Sequence, residues 1–551
     1  MSTAPAGSRQ ALRPWAGTRH LLRLALRRDR VRIPVWVLAL AATAGATVPA
    51  LEATYAGQQG APARGALTDN PAGVLMLGPS FGERSPSLGA MTVSELGMTL
   101  YVATAVMAVL LTVRHTRAEE EAGRVDVVRA LAVGRFAPAA AALGVTFLAD
   151  LAVAVGIAVA LVVTGLPVGG SAVFAASVGL VGTVFGAVAA VAAQLARHPR
   201  GTTGLALSVL AAAFALRGVG DVLDPTDGSW LSWLSPLAWA QQTRVFVDTR
   251  LWPLALLLAA TSVLVAAAAL LGVRRDLGSG LLPERRAPDH AGRLLHSAAG
   301  LAWRQLRSGM VAWGLALAGF AAAFGSLTEE MNEAVEQLPE VARWMAIAPE
   351  ALTDSFAAVM LLYLSLGTAA FVLAGVLALV REEESGTGAL VVVAGTSRTR
   401  WMGMWLVVTA LGALVVQGLA GLALGVGVAV STGEQARVGS LTVAALGYLP
   451  GVLVLGGVAA ALVGWWPRAA RPVAWVVLAH ALLVAVLGPL LAVLGPLLQL
   501  PDAVINLSPL QLTPAMPLEA PDGGTLVLLL AGTLLLGGAG MVGLRRRDLA
   551  G

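Results

Sequence analysis

Residues 92–121 read TVSELGMTLYVATAVMAVLLTVRHTRAEEE. The first 22 of these residues carry one charge, Glu95, in an otherwise apolar run. About 20 such residues cross the hydrocarbon of a bilayer as a helix. The run ends at Arg114, Arg117 and the triplet Glu119, Glu120 and Glu121. Runs of the same kind recur along the chain and predict spans at 33–54, 92–113, 137–163, 171–195, 202–222, 252–272, 310–327, 356–380, 402–430, 439–464, 472–497 and 524–544. Backbone in lipid must satisfy its own hydrogen bonds, so these runs are helices or barrel strands. Barrel strands alternate polar and apolar residues over about ten positions, and these continuous runs do not. The fold class is therefore all-α integral membrane, with about twelve transmembrane helices.

Composition agrees. The chain has 551 residues, 57% hydrophobic and 13% charged, where a soluble domain carries about 25% charged residues. Its 63 glycines suit helices that approach closely in lipid. There is no cysteine, which excludes disulfides and thiolate metal sites. No apolar core followed by a small-residue cleavage site is present, so the first span is expected to act as the insertion signal. All 37 basic residues are arginine, which with the alanine and glycine bias suggests a GC-rich bacterial genome.

Arginine placement predicts orientation. With the N-terminus inside, 30 arginines fall on the cytoplasmic side, and Arg217 lies within a span. Six fall outside: Arg64, Arg84, Arg244, Arg250, Arg343 and Arg437. That asymmetry places both termini in the cytoplasm. The net charge of +5 thus reflects topology and contact with anionic lipid, and no nucleic-acid partner is expected.

The sequence also repeats itself. Glu119–Arg135 reads EEEAGRVDVVRALAVGR and Glu382–Arg398 reads EEESGTGALVVVAGTSR, at a constant offset of 263. Arg27, Arg30 and Trp36 match Arg304, Arg307 and Trp313. Arg197 and Arg200 match Arg468 and Arg471. Leu234-Ser235-Pro236-Leu237 recurs at 507–510, and Arg274-Arg275-Asp276-Leu277 at 546–549. Six spans per copy is an even number, so the copies enter the membrane in the same direction. The expected architecture is two parallel six-helix units, 1–272 and 299–551, related by a pseudo-two-fold along the membrane normal and joined by a cytoplasmic linker, 273–298.

Each copy has two cytoplasmic features. After the second span, the triplet is expected to open a short helix, its acids at the positive dipole end. Val125, Val128 and Leu131 form the apolar face of the first copy, and Leu390, Val391 and Ala394 that of the second. One such loop reads as a solvated turn; two at equivalent places read as paired docking elements. Before the first span, Leu21–Arg30 and Leu301–Val311 suit a helix in the headgroup layer or an ordinary basic flank. On the outside, residues 223–251 carry Trp230, Trp233 and Trp239 and are broken by Pro236, which predicts an interfacial or re-entrant segment.

Several chemistries have no residues here. Without lysine there is no GxxxxGK[ST] phosphate loop, and no stretch outside the spans could hold an ATPase domain. No HExxH or paired-histidine spacing occurs, so no metal site is expected. His480 lies within a span, either packed or in a proton relay. Asp150 is the clearest charge deep in a span, either pairing helices or coupling to protons; Arg217 and Asp221 sit near the end of the fifth. The chain is read as a transport subunit, not an enzyme. It lacks a visible energy source.

Arg381-Glu382-Glu383-Glu384-Ser385-Gly386-Thr387, continuing through Val391 to Thr396-Ser397-Arg398, resembles the first cytoplasmic loop of ABC-2 type transporter permeases. The fused two-unit form, with its Ser-Pro-Leu outer loops and RRDLGSGLLPERR linker, resembles actinobacterial permeases of polyketide-antibiotic (tetronasin-resistance type) exporters. The resemblance implies a coupling helix in each unit that docks a separate soluble ATPase subunit, two copies in all. Its docking residues would be Glu119, Glu120, Glu121, Gly123 and Arg135, and Glu382, Glu383, Glu384, Gly386 and Arg398. Arg27, Arg30, Arg304 and Arg307 would belong to interfacial helices. ATP and Mg would bind the partner, leaving this chain without a cofactor. The cargo would be an amphipathic or hydrophobic drug-like compound exported across the bacterial plasma membrane. The first copy departs from the pattern, with Arg124, Asp126 and Arg129 where the second has Thr387, Ala389 and Val392. Two other readings stand beside this one. A proton-coupled secondary transporter would need Asp150. An enzyme on lipid-linked substrates would draw on outer acids such as Asp69, Glu83, Glu95, Glu329 and Glu330.

Overall fold

A computed structural model describes residues 14–55, 71–79, 81, 87–131, 133–276, 278–282, 292, 295, 297–329, 331–332, 352–493 and 508–547. Arg64, Asp69, Glu83, Arg84, Arg285, Arg286, Glu330, Arg343 and Leu507 lie outside the described residues. Twelve helices among them are long and apolar enough to cross a membrane. Each expected span has its helix, most with ends extended by a few residues; 402–430 becomes Arg398–Thr432, whereas 310–327 becomes Ala298–Gly325, and residues 494–497 of the eleventh lie outside the described residues. The chain divides into two compact units, 1–286 and 287–551.

In the first unit α1 (Thr18–Arg28) precedes the first span α2 (Arg32–Tyr55). A short α3 (Pro71–Leu77) leads to the second span α4 (Leu88–His115). The turns α5 (Arg117–Glu121) and α6 (Arg124–Arg129) follow. The remaining spans are α7 (Ala137–Val163), α8 (Val168–Leu195), α9 (Pro199–Leu223) and, after α10 (Pro236–Gln241), α11 (Trp252–Val273). The second and fourth spans form the centre: 72% of the apolar window of the second span is buried, against 11% for the sixth. Exposed apolar side chains on α2 and α11, such as Leu38 and Val263, make a surface that suits lipid and not water.

Some polar residues inside this bundle are matched across helices, as burial favours. Tyr101 on α4 bonds Ser177 on α8 at 3.0 Å, and Thr112 bonds Thr146 on α7 at 3.0 Å. At the opposite end of α9, Arg217 is fully buried and donates to Leu75 O at 2.8 Å and Met76 O at 3.3 Å. These are among the last carbonyls of α3, which lack helical partners and favour a cation. Asp221 pairs with Arg217 and accepts from Ser232 at 2.6 Å. The expected segment at 223–251 becomes a 3-10 turn at Ser232–Leu234 followed by α10, capped by Ser235. Trp233 stacks on Trp252 at 5.5 Å. A hydrogen bond from Arg244 holds Asp227 below the usual carboxylate range, so this loop tie persists above that range and is lost as pH falls through the lowered value.

The second unit comprises α12 (Ala298–Gly325), α13 (Leu352–Glu384), α14 (Thr387–Val393), α15 (Arg398–Thr432), α16 (Ala436–Gly447), α17 (Leu449–Trp465), α18 (Pro467–Val493) and α19 (Gly523–Arg546). Helices α16 and α17 form one span broken at Tyr448. The amphipathic stretch before each first span behaves differently in the two units. In the first it is a separate helix, α1, turned at Asp29. In the second, Leu301–Val311 is continuous with the span in α12, the arrangement of a basic flank. The reason is local. Asp29 is buried and pairs with Arg114 at 3.1 Å and with His115, whereas its counterpart Leu306 has no polar need and continues the helix. Arg27, Arg30, Arg304 and Arg307 are all exposed.

Helices α17 and α19 touch through backbone. A Cβ on Gly540 would stand 2.4 Å from Ala460 O, and one on Gly464 2.2 Å from Gly540 O. Small residues permit this approach, which is how helices associate where no water is expelled. Gly540→Leu should therefore lower the melting temperature in detergent, by the equivalent of about 1–3 kcal/mol. Gly538→Leu, on a face with nothing within 4 Å, should leave it unchanged.

Candidate functional site

The ten residues expected to dock a partner cluster in two elbows, one per unit, and the elbows share one plan. In the first unit Thr116 interrupts the second-span helix, and the triplet occupies the five-residue α5. In the second unit α13 runs unbroken through Glu384. The triplets thus precede the apolar short helices α6 and α14 and do not open them, as the sequence suggested. A glycine separates the two pieces in each case. Gly123 has φ 69° and Gly386 φ 75°, and an added Cβ would meet nothing within 4 Å at either. These glycines are required by the left-handed backbone itself, not by crowding.

The three glutamates of a triplet do different jobs. The first turns back along its own elbow. Glu119 accepts a fork from Arg124 at 2.7 and 2.9 Å and pairs with Arg28 at 2.8 Å. That bond raises the Arg124 guanidinium above its ordinary value. Glu382 instead accepts from the hydroxyl of Thr387 at 2.6 Å. Arg124 and Thr387 are equivalent positions, so the departure noted in the sequence changes the partner of the first glutamate and keeps the contact.

The middle glutamate turns into the bundle, Glu383 buried and Glu120 nearly so, its side chain 11% exposed. Glu120 accepts from Arg117 at 3.1 Å, from Arg275 at 3.0 and 3.1 Å and from the Gly278 amide at 2.8 Å. Glu383 accepts from both terminal nitrogens of Arg547. Arg275 and Arg547 are the equivalent arginines of the Arg-Arg-Asp-Leu repeat. Each also donates to the end of the fourth span of its unit, Arg275 to Ala193 O at 3.4 Å and Arg547 to Gly464 O at 3.0 Å. Arg135 and Arg398, which close the repeated segments, reach the end of the sixth span, at Val273 O and Arg547 O. Arg117, Arg275 and Arg547 as elbow clamps were not singled out from the sequence, although the repeated Arg-Arg-Asp-Leu was the signal.

The third glutamate faces outward. The side chains of Glu121 and Glu384 are 57% and 59% exposed and pair at the surface with His198 at 3.1 Å and Arg471 at 2.6 Å. Beyond the glycines, Val127 and Leu390 occupy equivalent positions and are both 69% exposed, and Val393 is 85% exposed. The apolar faces differ from the spacing argument. Val125 and Val128 are half-buried against α1, whereas Leu131 is exposed; Val391 packs on the core, while Leu390 and Ala394 face out. Each elbow is thus clamped on one side and offers a small apolar surface edged with charge on the other.

Removing the carboxylate of Glu120 or Glu383 strands a clamp arginine. Glu120→Ala should destabilise the folded protein by about 3–5 kcal/mol, as breaking a buried pair does. Glu121→Ala should cost no more than about 0.5 kcal/mol. Thermal unfolding of the two variants in the same detergent measures the difference.

Comparison with known proteins identifies the family. The profile described as "Multidrug efflux system permease Rv1217c, C-terminal domain" matches residues 19–274 and 295–545. A relative from Mycobacterium tuberculosis (strain ATCC 25618 / H37Rv), the multidrug efflux system permease protein Rv1217c, is 35% identical over 557 residues, covering 99% of this chain and 98% of the relative. A twelve-span helical bundle, an almost end-to-end match and this identity lead to one conclusion: the chain belongs to the multidrug efflux permease family.

Proposed function

We propose that the chain is the membrane-embedded part of an ATP-driven exporter of the ABC-2 type, lying in the bacterial plasma membrane with both termini in the cytoplasm. A separate soluble ATPase, in two copies, docks on the two elbows; ATP and Mg bind that partner. Closure of the partner pushes on α6 and α14, and the clamps carry the push to the second, fourth and sixth spans of each unit. The two units are copies of one six-helix design, and each is moved through its own elbow. The cargo is a drug-like amphipathic compound, in keeping with the printed name of the mycobacterial relative; resistance to an antibiotic is the expected consequence.

The observation that carries this reading is the matched pair of exposed apolar residues, Val127 and Leu390, each held next to a buried ion pair. A single exposed valine or leucine is ordinary. Two at equivalent places, on short helices that each turn a half-buried face to their own unit (Val125 and Val128, Val391), fit a partner that covers both. Membranes holding this chain alone should hydrolyse no ATP above background. The chain should co-purify with its ATPase. Leu390→Glu should weaken that complex at least about ten-fold, since a buried unpaired carboxylate costs well over 1.4 kcal/mol. A complex unaffected by Val127→Glu and Leu390→Glu together would overturn the proposal.

Proton coupling is a second reading with one observation in its favour. Asp150 on α7 is buried between α4 and α8; among the described residues its one hydrogen bond is from Thr183 at 3.3 Å, and its Oδ1 has no partner. The second unit has a fully paired amide in the matching helix: Gln417 bonds Ser365 at 2.9 Å, Ala445 O at 3.1 Å and Thr368. Gln417 lies one turn beyond Ala413, the position equivalent to Asp150, and a polar residue that ties helices at this level of the second unit favours the same role for Asp150. Asp150→Asn should keep drug export within about two-fold, as a substitution that preserves shape and hydrogen bonding should. Loss of export with a folded protein would restore the proton-coupled reading.

A further inference from the structure

The first unit contains a cavity of about 530 Å³ that the efflux reading does not use. It lies over α8, between α7 and α11. Its walls include Ala140 and Leu143 of α7, Ala187 and Ala190 of α8, and Val265 and Ala269 of α11. Its extent along α11, from Thr261 to Gly272, is about 16 Å at 1.5 Å per residue. That is roughly half of a 30 Å hydrocarbon core, the depth of one leaflet. The cavity opens at the elbow end.

The mouth is cationic. Arg117, Arg129, Arg135 and Arg275 line it with one carboxylate, Glu120. Arg117 and Arg275 share that carboxylate. Arg135 spends its hydrogen bond on a neutral carbonyl, Val273 O. Arg129 is exposed and has no ion-pair partner among the described residues. Four arginines against one carboxylate leave three positive charges, and of the four Arg129 and Arg135 have no carboxylate partner among the described residues. Trp15, 59% exposed, also lines the mouth and stacks near Phe136 at 5.3 Å; tryptophan favours the headgroup level of a membrane.

The second unit closes the same place. By the repeat offsets, Ala140 and Leu143 correspond to Gly403 and Leu406, and Val265 and Ala269 to Gly537 and Met541. There Met541 lies against Gly403, where a Cβ would be 3.5 Å from its sulfur, and Leu406 lies against Gly537 at 3.8 Å. The long side chain that plugs the second unit is an alanine in the first. The opening is a property of one copy, not of the fold.

We propose that this cavity holds one anionic phospholipid from the leaflet at the elbow end, one of its two acyl chains over α8 and its phosphate between Arg129 and Arg135. Basic pockets between transmembrane helices on the cytoplasmic side take such headgroups, so the proposal rests on the orientation given above. The volume falls in the range of about 300–1,000 Å³ usual for small-molecule sites, and the leftover charge selects an anion.

The test uses the full chain in nanodiscs with labelled phosphatidylglycerol or phosphatidylcholine, followed by detergent washing. The wild type should retain phosphatidylglycerol several-fold over phosphatidylcholine. Ala269→Met, which copies the plug of the second unit, should reduce the retained lipid several-fold. Arg129→Gln, an exposed change that leaves the core intact, should remove the preference for the anionic lipid. Equal retention of the two lipids by the wild type, or retention unchanged by both variants, would overturn the assignment. Displacement of the lipid by micromolar transported drug in place of excess phosphatidylglycerol would also overturn it, by making the cavity a cargo site. Orientation is read separately. The chain has no cysteine, so a single Val127→Cys can be probed with an impermeant maleimide on intact cells. Labelling from outside would sink the orientation and leave the retention result standing on its own.

Discussion

A carboxylate buried at the end of each second span holds three pieces of chain together. Glu120 and Glu383 each accept from the arginine that follows the sixth span, and that arginine also donates to the last carbonyls of the fourth. A charge in such a place is tolerable only when paired and hydrogen-bonded. The fourth-span carbonyls in turn have no helical partners of their own. One guanidinium satisfies both needs, and the geometry that results ties the second, fourth and sixth helices at one end. The left-handed glycine lies just beyond this knot, so the short helix after it is carried by the clamp without being part of it.

The two units use this plan with different accessories. The first adds a second buried centre, Asp29 with Arg114 and His115, which turns α1 away from α2. Its counterpart is Leu306, and α12 runs straight. The first unit ties Glu119 with two arginines, Arg28 and Arg124, where the second uses the Thr387 hydroxyl. The first unit also leaves space at Ala269 where the second inserts Met541. The direction is consistent: the first copy carries more charge and more open volume at the elbow end, and the second is filled and less polar. Divergence after duplication has kept the clamp and changed what surrounds it.

Much of this was legible in the residues. Spans followed from apolar length, because lipid permits little else. The elbows followed from the repeated triplet and glycine. Three things were not legible. Which glutamate turns inward depends on the arginine of the sixth span, more than 150 residues away for Glu120, and no local pattern encodes that pairing. The outward face of α6 could not be read because helical spacing finds an apolar stripe without saying what covers it; Val125 and Val128 face α1 across a small pocket, and Val127 is left exposed. The break at Asp29 and its absence at Leu306 turn on one buried ion pair, and a basic amphipathic stretch looks the same in both.

The division of labour inside a triplet bears on how force could pass through it. A docking surface made of the buried glutamates would have to break the clamp to engage, at a cost of several kcal/mol. One made of the exposed apolar residues costs nothing to uncover. Burying a single Val or Leu yields about 1.5–3 kcal/mol, enough for two elbows together to hold a partner without opening either knot. A push on α6 or α14 then meets the glycine first and the clamp second. The glycine lets the short helix rock, and the clamp turns that rocking into a shift of three helix ends at once. Under the proposed mechanism, the buried acid and the exposed hydrophobe are therefore two stages of one lever, and their spacing of seven residues, Glu120 to Val127 and Glu383 to Leu390, is the same in both copies because the lever has one length.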